Sequence, residues 1–253
     1  MNMNVLAVIP ARYASSRFPG KPLALVRGKA MIQRVYEQSS EVFSNLCVAT
    51  DDERIYKAVE KFGGVAVMTS PMHQSGTDRV LEACHTYSRT MGKKFDVVIN
   101  VQGDEPFIHP GQLLGLKECF NDPSVEIATL VKRIEALQEL VNPNTPKVIM
   151  DKMMNAIYFS RTPIPYVRDC NVDDSFIKEH PFFKHIGLYG YKASVLERIC
   201  AMPQSYLEKT ERLEQLRWLE NGYKIRVAIT RYQTHAVDTP QDLDYLNSES
   251  FKF

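Results

Sequence analysis

Apolar residues along this chain arrive in short continuous runs, with patterns of helical period between them. The runs fall at 4–9, 45–50, 65–69, 95–101, 125–131, 147–150, 155–159, 186–191 and 224–230. Runs of this length, without polar alternation, read as strands buried on both faces. Helical spacing predicts helices over 29–43, 52–62, 77–91, 110–121, 134–141, 193–201, 209–221 and 240–248. Gly63-Gly64 stops the second of these, and Ser75 or Thr77 is placed to cap the third. Strand and helix alternate over 4–131, which argues for an α/β chain doubly wound about a mostly parallel sheet. Between 150 and 200 the alternation weakens, and Pro163, Pro165 and Pro181 interrupt it. The expectation is one domain, 1–253, carrying a smaller inserted lobe at 150–205.

Ligands in doubly wound sheets sit outside the carboxyl ends of the strands. That rule sets Ala11–Lys21, Thr50-Asp51, His73–Arg79 and Gln102–Pro106 along one edge. The first of these loops carries Arg12, Arg17 and Lys21 among small residues, with Pro19-Gly20 just before the lysine. Such a loop suits a polyphosphate, because small residues let backbone N–H groups approach and the cations supply charge. It is not a Walker loop, since Pro22 stands where Ser or Thr would hold magnesium, and no Gly-x-Gly-x-x-Gly occurs. Any metal must be held from elsewhere.

The apolar run 97–101 ends in Gln102-Gly103-Asp104-Glu105-Pro106. Asp104 suits magnesium, which takes one or two carboxylates together with substrate phosphates; Glu105 is expected to face away. Gly103 is expected to supply a backbone shape other residues resist. In His73-Gln74-Ser75-Gly76-Thr77-Asp78-Arg79 the hydroxyls, amide and glycine fit a helix cap, an anion site or a base-reading loop alike. In Val237-Asp238-Thr239-Pro240, Asp238 or Thr239 fits the cap of the last helix with Pro240 in its first turn. No Ser-His-Asp or Cys-His nucleophile set can be drawn.

Composition narrows the classes. The 253 residues carry a formal net charge of +1, with 44% apolar and 24% charged residues. That balance excludes a general attraction to nucleic acid or anionic membrane and leaves local clusters to bind anions. No apolar run reaches membrane-spanning length. Five cysteines without paired or metal-like spacing fit small buried hydrophobes in a reduced, cytoplasmic protein.

Taken together and in order, these segments resemble the sugar-acid cytidylyltransferases, and among them the branch acting on 3-deoxy-manno-octulosonate (Kdo). The matching segments are Pro10-Ala11-Arg12 through Arg17-x-Pro19-Gly20-Lys21-Pro22, His73–Thr77, Asn100–Pro106, Tyr158–Arg161, His185–Tyr191, Leu213–Arg217 and Val237–Pro240. The resemblance implies a Rossmann-like nucleotidyltransferase fold and a cytoplasmic homodimer built through the smaller lobe. It also implies magnesium-dependent transfer of CMP from CTP to Kdo, for lipopolysaccharide synthesis. By resemblance Ala11, Arg12 and Lys21 meet the CTP backbone and phosphates, and Ser75, Gly76 and Arg79 lie near the cytosine. Asp104 and Asp238 share magnesium, so that Arg12, Lys21, Asp104 and Asp238 form the catalytic set. Gln102, Arg161, His185, Tyr189, Glu214 and Gln215 hold the sugar acid. The alternatives are another acidic sugar, such as a sialic acid, or a nucleotide-binding protein without catalysis.

Overall fold

The structure, a computed structural model, describes residues 3–14, 17–73, 75–233 and 235–251. In chain order its elements begin with strand β1 (Val5–Ala11), the two-residue strands β2 (Leu25–Val26) and β3 (Lys29–Ala30), helix α1 (Met31–Ser40), β4 (Leu46–Thr50), α2 (Glu53–Lys61), β5 (Ala66–Met68), α3 (Gly76–Met91), β6 (Val97–Asn100) and α4 (Pro110–Glu118). They continue with β7 (Ile127–Arg133), α5 (Leu137–Val141), β8 (Lys147–Met150), β9 (Ala156–Ser160), α6 (Asp174–Glu179), β10 (Phe183–Lys192) and α7 (Ala193–Cys200). The last four are α8 (Tyr206–Glu211), α9 (Gln215–Glu220), β11 (Ile225–Thr230) and α10 (Pro240–Asn247).

Each of the nine apolar runs of the sequence is a strand here. The chain divides into two compact units. The first holds the described residues of 1–114, 192–200 and 234–253. Four of its strands lie in the order β6-β1-β4-β5, all parallel, with Val8 opposite Asn100, Ala11 opposite Thr50 and Thr50 opposite Met68. Leu6, Ala7, Val8 and Ile9 are wholly buried, which is why β1 tolerates no polar position. This register brings the chain out of β1, β4, β5 and β6 along one edge. The hairpin β2–β3 was not legible in the sequence, because each strand has only two residues. Its turn holds Arg27 and Gly28 at φ 47° and 81°, the left-handed pair a tight hairpin needs.

The second unit holds 115–191 and 201–233, a wider stretch than the proline-marked 150–205. There β11 runs parallel to β7, while β10 is antiparallel to β7 and β8, and β8 to β9. The single helix expected over 209–221 is instead α8 and α9. Ser205 and Glu208 form a reciprocal cap that starts α8 early, and Arg212 at φ 52° ends it. Helix α9 then turns back so that Arg217 donates to both oxygens of Glu208, at 2.8 and 2.6 Å, with both side chains nearly buried. Breaking such a pair leaves an uncompensated buried charge. Glu208→Ala is therefore expected to destabilise the fold by about 3–5 kcal/mol in urea denaturation; a change below about 1 kcal/mol would mean the pair contributes only what a surface bridge does.

Candidate active site

The cationic loop leaves β1 at Ala11 and is folded back by Gly20. The Gly20 N–H donates to the Tyr13 carbonyl at 2.9 Å, and Gly20 sits at φ 71°, with the Tyr13 ring 3.1 Å from where a Cβ would be. The Arg54 guanidinium also packs on the Tyr13 ring, 3.3 Å from its centroid, and is itself bidentate on Asp52 at 2.9 and 2.7 Å. This turn sends Lys21 inward to a cavity of about 380 Å³, which Ala11, Arg12, Arg17, Gln102 and Asp104 also line.

Two chain-distant carboxylates meet at Lys21. Its Nζ donates to Asp104 Oδ2 at 2.8 Å and to the Val237 carbonyl at 2.7 Å, and stands 3.6 Å from Asp238 Oδ1. Arg17 reaches the same Asp238 oxygen at 3.1 Å. Arg17, absent from the expected site residues, was visible in the sequence as one of the loop's three cations and as part of the matching segment Arg17-x-Pro19-Gly20-Lys21-Pro22. The two aspartate-bearing loops are also joined directly, the Val237 N–H donating to the Asp104 carbonyl at 2.9 Å. Thr239, not Asp238, caps α10, and Asp242 accepts from the Asp238 and Thr239 N–H groups. The Asp238 carboxylate is thereby left to face Lys21.

Gly103 is needed for room and not, as expected, for an unusual backbone. A Cβ there would lie 2.8 Å from the Pro10 carbonyl oxygen, so any side chain would push the Asp104 loop off β1. Beneath the loops lies one apolar cluster of Val26, Met31, Val237, Leu246 and Phe251, onto which Phe18, Phe107 and Leu243 pack. Phe18, Phe107 and Val237 thus tie each charged loop to a common floor. Glu105 is buried, with Oε2 unpartnered among the described residues. Burial, helped by the Asp104 charge, pushes its carboxyl up to about 8.

Ser75 caps α3 in a reciprocal box with Asp78, and a Cβ on Gly76 would lie 3.8 Å from Pro10 Cγ. Gln74 lies outside the described residues. Arg79 is fully buried, donating to Asp51 at 2.8 Å and to the Thr69 hydroxyl, while its Nε is unpartnered among the described residues. His73 contacts Glu82, whose carboxylate also accepts from the Ser70 N–H at 2.8 Å.

Of the expected sugar-binding residues, Gln102 lies in the first unit and the rest in the second. The Arg161 guanidinium is spent on backbone carbonyls, donating to Glu211 at 2.6 Å, Pro143 at 2.9 Å and Arg212 at 3.2 Å. In this state it braces the Arg212 turn. Of the other four, His185 and Tyr189 are in contact and Glu214 lies near Tyr189. His185 meets Phe159 edge-on at 5.2 Å between ring centroids and Tyr189 at 5.2 Å, and Trp218 stands edge-on to Tyr189. Burial pushes the Tyr189 phenol well up, aided by the nearby Glu214 charge. Gln215 is buried with its Nε2 unpartnered among the described residues. A neutral imidazole, a phenol and an unspent amide donor suit a polyhydroxylated ligand.

A cytidylyltransferase family model matches residues 6–225. A 3-deoxy-manno-octulosonate cytidylyltransferase of Bacteroides thetaiotaomicron is 56% identical over 246 residues, covering 96% of each chain. The chain belongs to the 3-deoxy-manno-octulosonate cytidylyltransferase family. Another member, from Parabacteroides distasonis, is 54% identical over 96% of both chains. The solved structure of a CMP:2-keto-3-deoxy-manno-octonic acid synthetase complexed with CTP superposes with a TM-score of 0.86 at 41% identity, covering 96% of this chain and 97% of that one. The Rossmann-like nucleotidyltransferase fold expected from the sequence is that of the family. No helix among the described residues is long and apolar enough to cross a membrane.

Glu105 generates a pH prediction. Its folded-state pKa is raised, so neutral Glu105 contributes stability that is fully present below about 4.5 and lost as pH rises through about 8. Between these values the wild type should lose stability relative to Glu105→Gln, by on the order of a few kcal/mol at pH 8. Parallel stability–pH curves for the two proteins would show that Glu105 ionises normally.

Proposed function

We propose that this chain transfers CMP from CTP to the anomeric hydroxyl of Kdo, releasing pyrophosphate and supplying CMP-Kdo for lipopolysaccharide synthesis. The observation that carries the reading is the convergence of Lys21, Asp104 and Asp238, from three distant segments, beside the Arg12 and Arg17 cations. A triphosphate needs cations, and a divalent ion needs carboxylate oxygens at the same place.

The donor set fits magnesium. Among the described residues no three metal-ligating side chains cluster, but magnesium asks for only one or two carboxylates when phosphates and water complete its shell. Asp104 and Asp238 would hold it, and when bound it neutralises phosphate charge and lowers the pKa of a coordinated hydroxyl. Arg12 and Lys21 would grip the phosphates and stabilise charge growing on the departing pyrophosphate, a fixed electrostatic contribution. Ala11 leaves room for the nucleotide backbone, and the Ser75-Gly76 turn with Arg79 would bound the cytosine. Direct attack on the α-phosphorus needs no protein nucleophile, which agrees with a site built from cations and carboxylates. His185, Tyr189, Glu214 and Gln215 would hold the sugar acid, and Gln102 and Arg161 belong to the same reading. The second unit would also carry a homodimer contact, supported by the exposed apolar side chains of Met153 and Ile157. A cytoplasmic setting is supported by five cysteines present as free thiols.

The test is pyrophosphate release from CTP that depends on added Kdo, with UTP and a sialic acid as comparison substrates. Release that ignores the sugar, or that is faster with a sialic acid, would refute the assignment. Asp104→Asn and Asp238→Asn should each cut kcat by about a hundredfold or more with unchanged circular dichroism. Near-normal turnover at low magnesium in either variant would remove that residue from the metal role.

A further inference from the structure

Thr129 on β7 is fully buried; the Tyr189 phenol faces its hydroxyl, and three atoms lie within hydrogen-bond distance of the hydroxyl oxygen. They are the Leu188 carbonyl oxygen at 2.7 Å, that of Ile186 at 3.2 Å, and His185 Nε2 at 3.0 Å. All three lie at the irregular step of β10, where pairing jumps from Ile186 opposite Leu130 to Tyr189 opposite Thr129. A hydroxyl has one hydrogen and two lone pairs. The carbonyl oxygens can only accept, and 2.7 Å is the separation of a made O–H···O bond. The Thr129 hydrogen therefore goes to the β10 backbone, and its oxygen meets His185 with a lone pair. That requires a hydrogen on Nε2. Burial disfavours a second hydrogen on the ring, lowering His185 to about 3. Nδ1 is left as a bare acceptor, making no hydrogen bond to a described residue. Phe159 and Tyr189 both pack against the His185 ring.

We infer that Thr129 is a positioning residue that fixes the Nε2-protonated tautomer of His185, so that Nδ1 accepts from a hydroxyl of the sugar acid and turns away its carboxylate. The inference rests on the reading of His185 as a sugar-binding residue. It gives a specificity rule: the group seated at His185 is a hydrogen-bond donor, because a carboxylate oxygen there would face another lone pair. Thr129 achieves this without touching substrate, by using its single hydrogen on the strand that carries the histidine.

Long-range proton–nitrogen correlation spectra of the ligand-free protein read the tautomer, with His185 assigned by its disappearance in His185→Gln. The expected result is protonation at Nε2 in the wild type and Thr129→Ser, and a shift toward Nδ1 protonation in Thr129→Val. In steady-state assays Thr129→Val should raise KM for Kdo roughly tenfold, the effect of one lost hydrogen bond, with KM for CTP unchanged and Thr129→Ser near normal. An Nδ1-protonated ring in the wild type would overturn the inference, as would a Thr129→Val protein with unchanged tautomer. His185→Gln keeps a donor near the Nε2 position but lacks the Nδ1 acceptor. An unchanged KM for Kdo in that variant would refute the sugar-binding reading while leaving the spectra as they are.

Discussion

Two carboxylates aimed at one point repel each other, and a fold that brings them together has to hold a cation between them. Here that cation is the Lys21 ammonium, 2.8 Å from Asp104 and 3.6 Å from Asp238, with Arg17 on the outer side of Asp238. At an effective dielectric constant of 20, unit charges about 4 Å apart interact by roughly 4 kcal/mol, a figure that solvent reduces at the half-exposed Asp238. Attraction to Lys21, and of Arg17 to Asp238, offsets the repulsion between the two carboxylates. The same lysine lines one cavity with Arg12 and Arg17, fit for phosphate, and holds the carboxylates, fit for a divalent ion.

Electrostatics alone would not set these distances. The Val237 N–H bonded to the Asp104 carbonyl, and the Val237 carbonyl bonded to Lys21, join the three charged segments through backbone. Below them Phe18, Phe107 and Val237 contribute to one apolar cluster. Arg27 reaches the carbonyls of Leu246 and Phe251 from the β2–β3 turn, which ties the final helix and the residues after it to that floor. Hydrophobic packing fixes the loops, hydrogen bonds fix their register, and the charges then meet at defined separations.

The strands were legible because burial on both faces leaves a continuous apolar run, as in Leu6–Ile9. Helix ends were less so. Neither the early start of α8 at Ser205 nor its stop at Arg212 has an apolar signal, because both depend on backbone geometry and on the Glu208–Arg217 pair. The choice between Asp238 and Thr239 as cap could not be made locally, since both are good caps; Lys21, more than 200 residues away in sequence, draws Asp238 elsewhere. The cationic loop and Asp104 were visible as chemistry at strand ends. Gly103 was visible as a glycine but not for its reason, which is the nearness of Pro10, a contact no local pattern encodes. Thr129 was invisible for a similar cause. A threonine inside an apolar strand looks like β propensity until the irregular step of β10 arrives beside it.

The central claim is that Asp104 and Asp238 act as one charged unit around Lys21, and a double-mutant cycle tests it most directly. With kcat/KM measured for Asp104→Asn, Asp238→Asn and the double variant, one unit predicts that the double variant loses little more than the more damaged single variant. Losses that multiply independently would contradict it.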